Sequence, residues 1–115
     1  ALKIDSVTKN VPIILFARDP DCSSKTLINT GADCISLYWT MNNFDMHLSK
    51  NKIALQGNLN PKILLEDRET IKKETFKLLS KYKNYPGYIF NLGHGITPDI
   101  NPDKVKYLTD IIREY

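Results

Sequence analysis

The sequence predicts an α/β protein with a parallel β-sheet, and three observations support this fold class. Four short apolar runs alternate with segments of helical periodicity along the chain. The first run is continuous and β-branched, as expected for a strand that is covered on both faces. The connections between the runs are short enough for right-handed crossovers. Alternation of this kind is typical of a doubly wound sheet or of half of a (β/α)8 barrel.

The N-terminal half of the chain contains the first two predicted strands and the helix between them. Residues 11–17 form the first strand, with Pro12 near its start, where a missing backbone donor does least harm. A helix over about residues 22–29 follows, and Gly31 is expected at its C′ position. Residues 33–39 form the second predicted strand.

The C-terminal half adds two strands and the two clearest helices. A weaker helical pattern follows the second strand, and residues 52–56 form the third strand. Asp67 is the expected N-cap of a helix over about residues 68–82, whose apolar positions recur at helical spacing. Turn residues then lead to the fourth strand, residues 88–91. The last helix is expected to begin with Asn101 as its N-cap, followed by a proline at the first helical position.

Composition and charge argue against several classes of protein. The 115 residues, 42% of them hydrophobic, suit one domain with a modest core. No apolar run approaches the roughly 18 residues of a membrane span, and no signal-peptide pattern opens the chain. The net charge of +3 is mild, and the lysines are mixed with acidic residues as on a solvated helix face. We therefore expect a cytoplasmic protein that binds neither membrane nor nucleic acid.

The cysteines and histidines do not form a metal-binding pattern. Cys22 and Cys34 show neither CxxC spacing nor a dense disulfide pattern, and are expected to be reduced thiols. A zinc site would need more ligands at tighter spacing than these cysteines, His47 and His94 provide. We expect no metal ion in this protein.

The most informative stretch is residues 90–96, which read Phe-Asn-Leu-Gly-His-Gly-Ile directly after a predicted strand. Glycine allows sharp turns and the close approach of a ligand, and His94 can donate or accept a proton near neutral pH. The alternative is that the two glycines only form a turn and that His94 caps a backbone carbonyl. The neighbouring motifs favour a functional site.

Polar residues follow each of the predicted strands. They are Arg18 and Asp19, then Thr40, then Gln56 and Asn58, and finally Asn91 and His94. In a barrel, all four positions lie on the C-terminal rim, where active sites are built. Four βα units make only half of such a barrel, so the barrel hypothesis predicts that an N-terminal half is missing.

Four segments together resemble the C-terminal part of the uroporphyrinogen decarboxylase family. Residues 54–61, Ala-Leu-Gln-Gly-Asn-Leu-Asn-Pro, resemble its ALQGNLDP segment, and residues 90–96 resemble its FNLGHGI segment. Residues 37–40 stand where the family usually has LDWT, and residues 16–19 resemble its FAKD or FAKG. The resemblance covers essentially the whole sequence but only about the last third of a complete family member.

The resemblance implies a fold and an activity. The fold would be the C-terminal four βα units of a (β/α)8 TIM barrel, usually part of a cytosolic homodimer. The activity would be carboxy-lyase chemistry in haem and porphyrin biosynthesis, in which uroporphyrinogen III loses four acetate carboxyl groups to give coproporphyrinogen III. The family needs no metal or organic cofactor. Its aspartate and arginines for substrate binding lie in the N-terminal portion, so this fragment alone is expected to be inactive.

The resemblance and the rim pattern together provide the candidate substrate-binding residues. His94 matches the substrate-contacting histidine of the family and is the best candidate. Gln56 and Asn58 could line the pocket or tie adjacent loops together, and we favour loop support. Asn91 and Arg18 are weaker candidates, since Arg18 could attract a polyanionic substrate or simply pair with the neighbouring aspartate. No residue is assigned as catalytic.

Two departures from the family motifs keep other functions open. Tyr38 replaces the aspartate of LDWT, and Asn60 replaces the aspartate of GNLDP, although either residue can cap the following helix. One alternative is a non-catalytic truncated fragment or relic, which binds a partner through open sheet edges or fails to fold alone. Another is a methyltransferase-like member of the same barrel superfamily, for which Cys22 and Cys34 are not convincingly placed as zinc ligands.

Overall fold

The chain forms a four-stranded parallel sheet with helices between its strands. The structure is a computed structural model that describes residues 11–18, 23–41, 44–49 and 52–115. Its strands are β1 (Ile14–Ala17), β2 (Cys34–Leu37), β3 (Ala54–Gln56) and β4 (Tyr88–Ile89), and their order in the sheet is that of the sequence. The helices are α1 (Ser24–Ile28), α2 (Met46–Ser49), α3 (Arg68–Lys81) and α4 (Pro102–Glu114), with a 3₁₀ helix (Pro61–Leu65) between β3 and α3. The predicted parallel α/β sheet is therefore confirmed.

The helix boundaries follow local capping chemistry. Asp67 caps α3, because its side chain accepts the backbone N–H of Thr70 at 2.8 Å. Asn101 caps α4 in the same way by accepting the N–H of Asp103 at 2.9 Å. Both N-caps were predicted from the sequence. Asn60 also acts as an N-cap, but of the 3₁₀ helix, since its side chain accepts the N–H of the second residue of that helix.

Helix α1 lies within the predicted span of about residues 22–29 but is shorter. The helix begins later than expected, because the side chain of Ser23 caps it by accepting the N–H of Thr26. It also ends earlier, with Asn29 as its C-cap. Gly31 therefore lies two residues past the C-cap rather than at C′, although its φ of 87° shows that the chain uses the left-handed conformation there. Cys22 lies outside the described residues.

The strand register separates the sheet residues into two faces. Leu15, Ile35, Leu55 and Tyr88 are aligned across the four strands. All four belong to or pack against a core cluster that also contains Leu27 of α1. This face of the sheet is covered by helices. A second cluster joins α3, the 3₁₀ helix and α4 through Ile71, Leu64, Leu108 and Ile111.

The opposite face of the sheet is uncovered at the edge strands β1 and β4, whereas Ser36 near its centre is buried. Its aligned residues are Phe16, Ser36, Gln56 and Ile89. Phe16 is 46% exposed, Ile89 is 44% exposed, and Ile14, two residues before Phe16, is 53% exposed. The prediction that the first strand is covered on both faces is thus wrong for the described residues. No helix in the described part of the chain is long and apolar enough to cross a membrane.

Three tyrosines connect the C-terminal end of α3 to strands β3 and β4. Tyr82 is 2% exposed and stacks on Tyr88 with ring centroids 4.4 Å apart, and Tyr85 contacts it edge-on. The hydroxyls of Tyr85 and Tyr88 donate to the carbonyls of Ile53 and Gly57. Within the described structure the Tyr82 hydroxyl has no hydrogen-bond partner. Burial raises the pKa of Tyr82 to about 12 and also raises the pKa of Tyr88.

Replacing Tyr82 and Tyr88 by phenylalanine is expected to have opposite effects on the free energy of unfolding. Tyr82→Phe removes a buried, unpaired hydroxyl, so it should stabilise the chain by about 1 kcal/mol. The matched control, Tyr88→Phe, removes a paired hydroxyl and strands the Gly57 carbonyl, so it should destabilise by about 1 kcal/mol. Urea unfolding measures both values. A loss of stability in Tyr82→Phe would mean that this hydroxyl has a partner.

The raised pKa of Tyr82 also predicts a pH dependence of stability. The folded state keeps this proton up to about pH 12, whereas an unfolded tyrosine loses it near pH 10. Between these two pH values the unfolded state therefore binds fewer protons, and the free energy of unfolding should fall. Tyr82→Phe should show a smaller fall over the same pH range. Equal slopes for parent and variant in urea unfolding would contradict this prediction.

Candidate functional site

A cavity of about 460 Å³ lies against the uncovered face of the sheet. Its lining includes Phe16, Ser36, Gln56, Asn91, His94 and Ile96. Three of the five predicted substrate-binding residues, Gln56, Asn91 and His94, therefore come together around one cavity. Asn58 and Arg18 are not among its lining residues. The cavity lies toward the C-terminal ends of the parallel strands, where the sequence predicted a site.

Gln56 and Asn91 reach the cavity from neighbouring strands. Gln56 is the last residue of β3, and its amide nitrogen donates to the hydroxyl of Ser36 on β2 at 3.0 Å. Its orientation on the uncovered face is thereby fixed by a partner that the sequence analysis did not identify. Asn91 follows β4, and its backbone carbonyl accepts the N–H of Leu59 at 3.2 Å. Its side chain is exposed and lines the cavity.

The imidazole of His94 is oriented by the next peptide group. Its Nδ1 lies 3.0 Å from the carbonyl oxygen of Gly95. Because a carbonyl only accepts, Nδ1 carries a proton in this contact. In neutral imidazole, Nε2 then has a lone pair, and it becomes a donor only when the ring is charged. His94 therefore caps a backbone carbonyl, which was the structural alternative to a functional role, and it also lines the cavity.

Asn58 ties two loops together rather than lining the cavity. It is 5% exposed, and its amide nitrogen donates to the carbonyls of Tyr38 at 3.0 Å and Met41 at 2.9 Å. These bonds join the loop after β3 to the loop after β2. Of the two roles weighed for Asn58, this geometry supports the loop-supporting one. The residue also borders a separate groove beside α3.

Arg18 lies at the same end of the sheet but outside the cavity lining. Its guanidinium carbon is 5.9 Å from the ring centroid of Tyr38. The ring of His94 meets the same tyrosine at a centroid distance of 6.1 Å and an interplanar angle of 85°. The alternative pairing of Arg18 with Asp19 involves a residue outside the described ranges. The sequence analysis noted Tyr38 only as a departure from a motif and did not predict its contacts with Arg18 and His94.

The two glycines beside His94 have different structural roles. A Cβ atom at Gly93 would lie 2.3 Å from the backbone nitrogen of Trp39. Such a distance is impossible without moving backbone, so glycine at position 93 is what lets the loop after β4 contact the loop after β2. A Cβ atom at Gly95 would have no heavy atom within 4 Å. Packing within the described structure does not require glycine at position 95.

The cavity combines amide groups, an imidazole and exposed apolar side chains. Such a lining suits a ligand with an apolar body and polar or anionic substituents. Among the residues that the structure describes, no group of three His, Cys, Asp or Glu side chains could hold a metal ion. Cys34 is a buried free thiol, and burial raises its pKa.

Comparisons with known proteins agree on one family. The family model for uroporphyrinogen decarboxylase (URO-D) matches residues 2–115. A uroporphyrinogen decarboxylase of Vesicomyosocius okutanii is 42% identical over 107 residues, which is 92% of this chain and 31% of the relative. The enzymes of the same name from Ruthia magnifica and Chloroherpeton thalassium are 39% and 38% identical and align with 93% and 96% of this chain, or 31% and 33% of their own length. The chain spans about a third of the length of the curated relatives it matches.

Alanine substitutions at Gly93 and Gly95 are expected to differ in their effect on stability. Gly93→Ala should destabilise the chain by about 3 kcal/mol, because its methyl group overlaps the backbone of Trp39. Gly95→Ala should change stability by less than about 0.5 kcal/mol, because its methyl group enters open space. Thermal unfolding of both variants checks the difference. Equal destabilisation would mean that the loops after β2 and β4 are not in this close contact.

Proposed function

Because the chain belongs to the uroporphyrinogen decarboxylase family, we propose that it forms the C-terminal part of a uroporphyrinogen decarboxylase. In this role it would contribute one side of the substrate site for the conversion of uroporphyrinogen III to coproporphyrinogen III. The observation that carries the proposal is the convergence of His94, Gln56 and Asn91 on one cavity at the sheet edge. The activity requires the remaining two thirds of the enzyme, so the chain alone is expected to be inactive.

The sheet topology supports a (β/α)8 barrel for the complete enzyme. Strand order follows the sequence without reversal, whereas a doubly wound sheet reverses its strand order. The aligned helix-facing residues Leu15, Ile35 and Leu55 pack into one core, and the opposite face is uncovered. In a barrel the uncovered face would be the interior, and the cavity would open at its C-terminal rim. Four further βα units would close the sheet.

The cavity chemistry supports a polyanionic tetrapyrrole as substrate. As an imidazolium, His94 would donate Nε2–H to a substrate carboxylate, since its Nδ1–H is already bound to the Gly95 carbonyl. Arg18, at the rim, would attract the same negative charges. The exposed side chains of Ile14 and Phe16 would contact the apolar pyrrole rings. Gln56 and Asn91 would provide amide groups to orient the substrate.

The proposed reaction is a stepwise decarboxylation. The bond between an acetate methylene and its carboxyl carbon breaks, CO₂ leaves, and the methylene carbon takes up a proton to become a methyl group. The pyrrole, once protonated, would accept the electron pair, and it would lose its added proton again when the methylene carbon is protonated, so that one proton is taken up for each CO₂ released and no metal or organic cofactor is needed. The family resemblance is the basis for this step, and equally for the expectation of a cytoplasmic homodimer. In this scheme His94 binds a carboxylate and supports local proton balance.

The competing proposal is a non-catalytic fragment or relic of such an enzyme. The exposure of Ile14, Phe16 and Ile89 favours it, since an isolated chain with this face uncovered would self-associate or bind a partner. The replacement of the motif aspartate by Tyr38 points in the same direction. A methyltransferase-like activity has less support, because the relatives compared above are named uroporphyrinogen decarboxylases.

An anaerobic decarboxylation assay with uroporphyrinogen distinguishes these proposals. Three samples are compared: the chain alone, the N-terminal two thirds of the Vesicomyosocius okutanii relative alone, and their mixture or genetic fusion. We expect coproporphyrinogen to form only when both parts are present. If neither the mixture nor the fusion is active although the fusion is folded, the relic proposal is the better one.

Substitution of His94 in the active fusion is expected to slow catalysis. His94→Ala removes one charge-assisted hydrogen bond, which should lower kcat/KM by about 10- to 100-fold. His47→Ala is the matched control, since His47 is an exposed residue on α2 and should leave kcat/KM unchanged. Both variants should keep the thermal unfolding midpoint of the parent. Unchanged turnover in His94→Ala would remove this residue from the site.

A further inference from the structure

We infer that Tyr38 is a positioning residue that holds His94 and Arg18 in place at the rim of the candidate site. Its geometric role can be tested in this chain alone. Its effect on catalysis rests on the proposed function. Tyr38 itself is outside the cavity lining, so it would act through the two side chains that it contacts.

Tyr38 is a common contact of three neighbouring loops. The imidazole of His94, in the loop after β4, meets its ring nearly perpendicularly, with 6.1 Å between centroids. The guanidinium of Arg18, directly after β1, lies 5.9 Å from the same ring centroid. Asn58, after β3, donates to the Tyr38 backbone carbonyl at 3.0 Å. Three of the five predicted site residues therefore contact one tyrosine.

The backbone that carries the tyrosine ring is held at several points. The Tyr38 carbonyl accepts the backbone N–H of Met41 at 3.0 Å in addition to the Asn58 amide. Gly93 approaches the backbone of the adjacent Trp39, and the rings of Tyr38 and Trp39 are 5.7 Å apart. The position of the ring is limited by this backbone and by its contacts with Trp39 and His94. The exposed side chain of Arg18 and the half-buried side chain of His94 pack against it.

A neutral aromatic ring is well suited to holding a guanidinium and an imidazole near a site for anions. The face of an aromatic ring carries partial negative charge, which attracts a guanidinium or an imidazolium. A carboxylate at position 38 would also attract Arg18 and His94, but it would accept their N–H donors. Substrate carboxylates need those same donors. The tyrosine ring holds both side chains while their hydrogen bonds stay available to an anionic ligand.

The test compares non-aromatic and aromatic substitutions at position 38 by NMR of the histidine rings. The chain has two histidines, so His47→Ala assigns the His94 resonances by elimination. With only this chain isotopically labelled, spectra are recorded for the chain alone and after mixing with the unlabelled N-terminal part of the relative. Tyr38→Phe should keep the ring-current shift of the His94 C–H protons. Tyr38→Leu and Tyr38→Met should abolish it.

The same variants are measured for decarboxylation in the fusion protein. Tyr38→Leu should lower kcat/KM about tenfold, because the contacts of the ring with His94 and Arg18 are lost. Tyr38→Phe keeps the ring, so its kcat/KM should stay within about twofold of the parent. Phe76→Leu is the matched control. It removes a half-buried ring that pairs with Tyr115 on the helical side and should leave the His94 resonances and kcat/KM unchanged. Thermal unfolding verifies that each variant is folded.

The outcomes separate this inference from the proposed function. If a folded Tyr38→Leu or Tyr38→Met variant keeps the parent His94 shifts, Tyr38 does not position His94 and the inference is overturned. If those shifts move while the parent fusion has no activity, the positioning role stands and the proposed function fails. If Tyr38→Leu and Tyr38→Met change both the His94 shifts and kcat/KM, and Tyr38→Phe keeps both at the parent values, the inference is supported in full.

Discussion

The parallel register of the four strands is the constraint on which the rest of the structure depends. Because side chains alternate along each strand, alignment of Leu15 with Ile35 and Leu55 sends all three toward the helices. The same alignment sends Phe16, Ser36 and Gln56 to the opposite face. A slip of one residue would exchange the two sets and place Gln56 in the helical core. The register thus decides which strand residues enter the core beneath the helices and which strand residues line the cavity.

At the C-terminal edge, contacts between loops take over from the strand register. Asn58 binds the loop after β2, Gly93 approaches that loop from the other side, and the Tyr88 hydroxyl donates to Gly57. These contacts are side chain to backbone or backbone to backbone, so they restrict the loops without using the groups that line the cavity. The result is a rim of fixed backbone that carries the imidazole of His94. Such support is a general need of binding sites built on loops.

The sequence predicted the fold better than the membership of the site. Periodicity and capping residues were sufficient for four strands and for the starts of α3 and α4, because these signals are local. For Asn58 the sequence analysis favoured loop support over pocket lining, and the bonds of its amide to Tyr38 and Met41 agree with that role. The chain leaves the extended conformation at Gly57, with φ of 128°, so the alternation of strand faces ends before Asn58. The ring of Tyr38 acquires its role through contacts with His94 and Arg18, which are distant in sequence. Local sequence patterns do not predict contacts between residues so far apart in the chain.

The stability of the chain and the candidate site are coupled through the uncovered face of the sheet. Ile14, Phe16 and Ile89 expose apolar surface there, and full burial of one such side chain contributes about 1.5–3 kcal/mol. Because each of the three is already about half buried, a segment that covers them would stabilise the chain by roughly one to two such increments. It would also enclose the cavity that contains His94 and exclude water from it, which strengthens hydrogen bonds to charged groups. Since the side chains that need cover and those that line the cavity share one face, a site for an anionic ligand would form fully only when the sheet is covered.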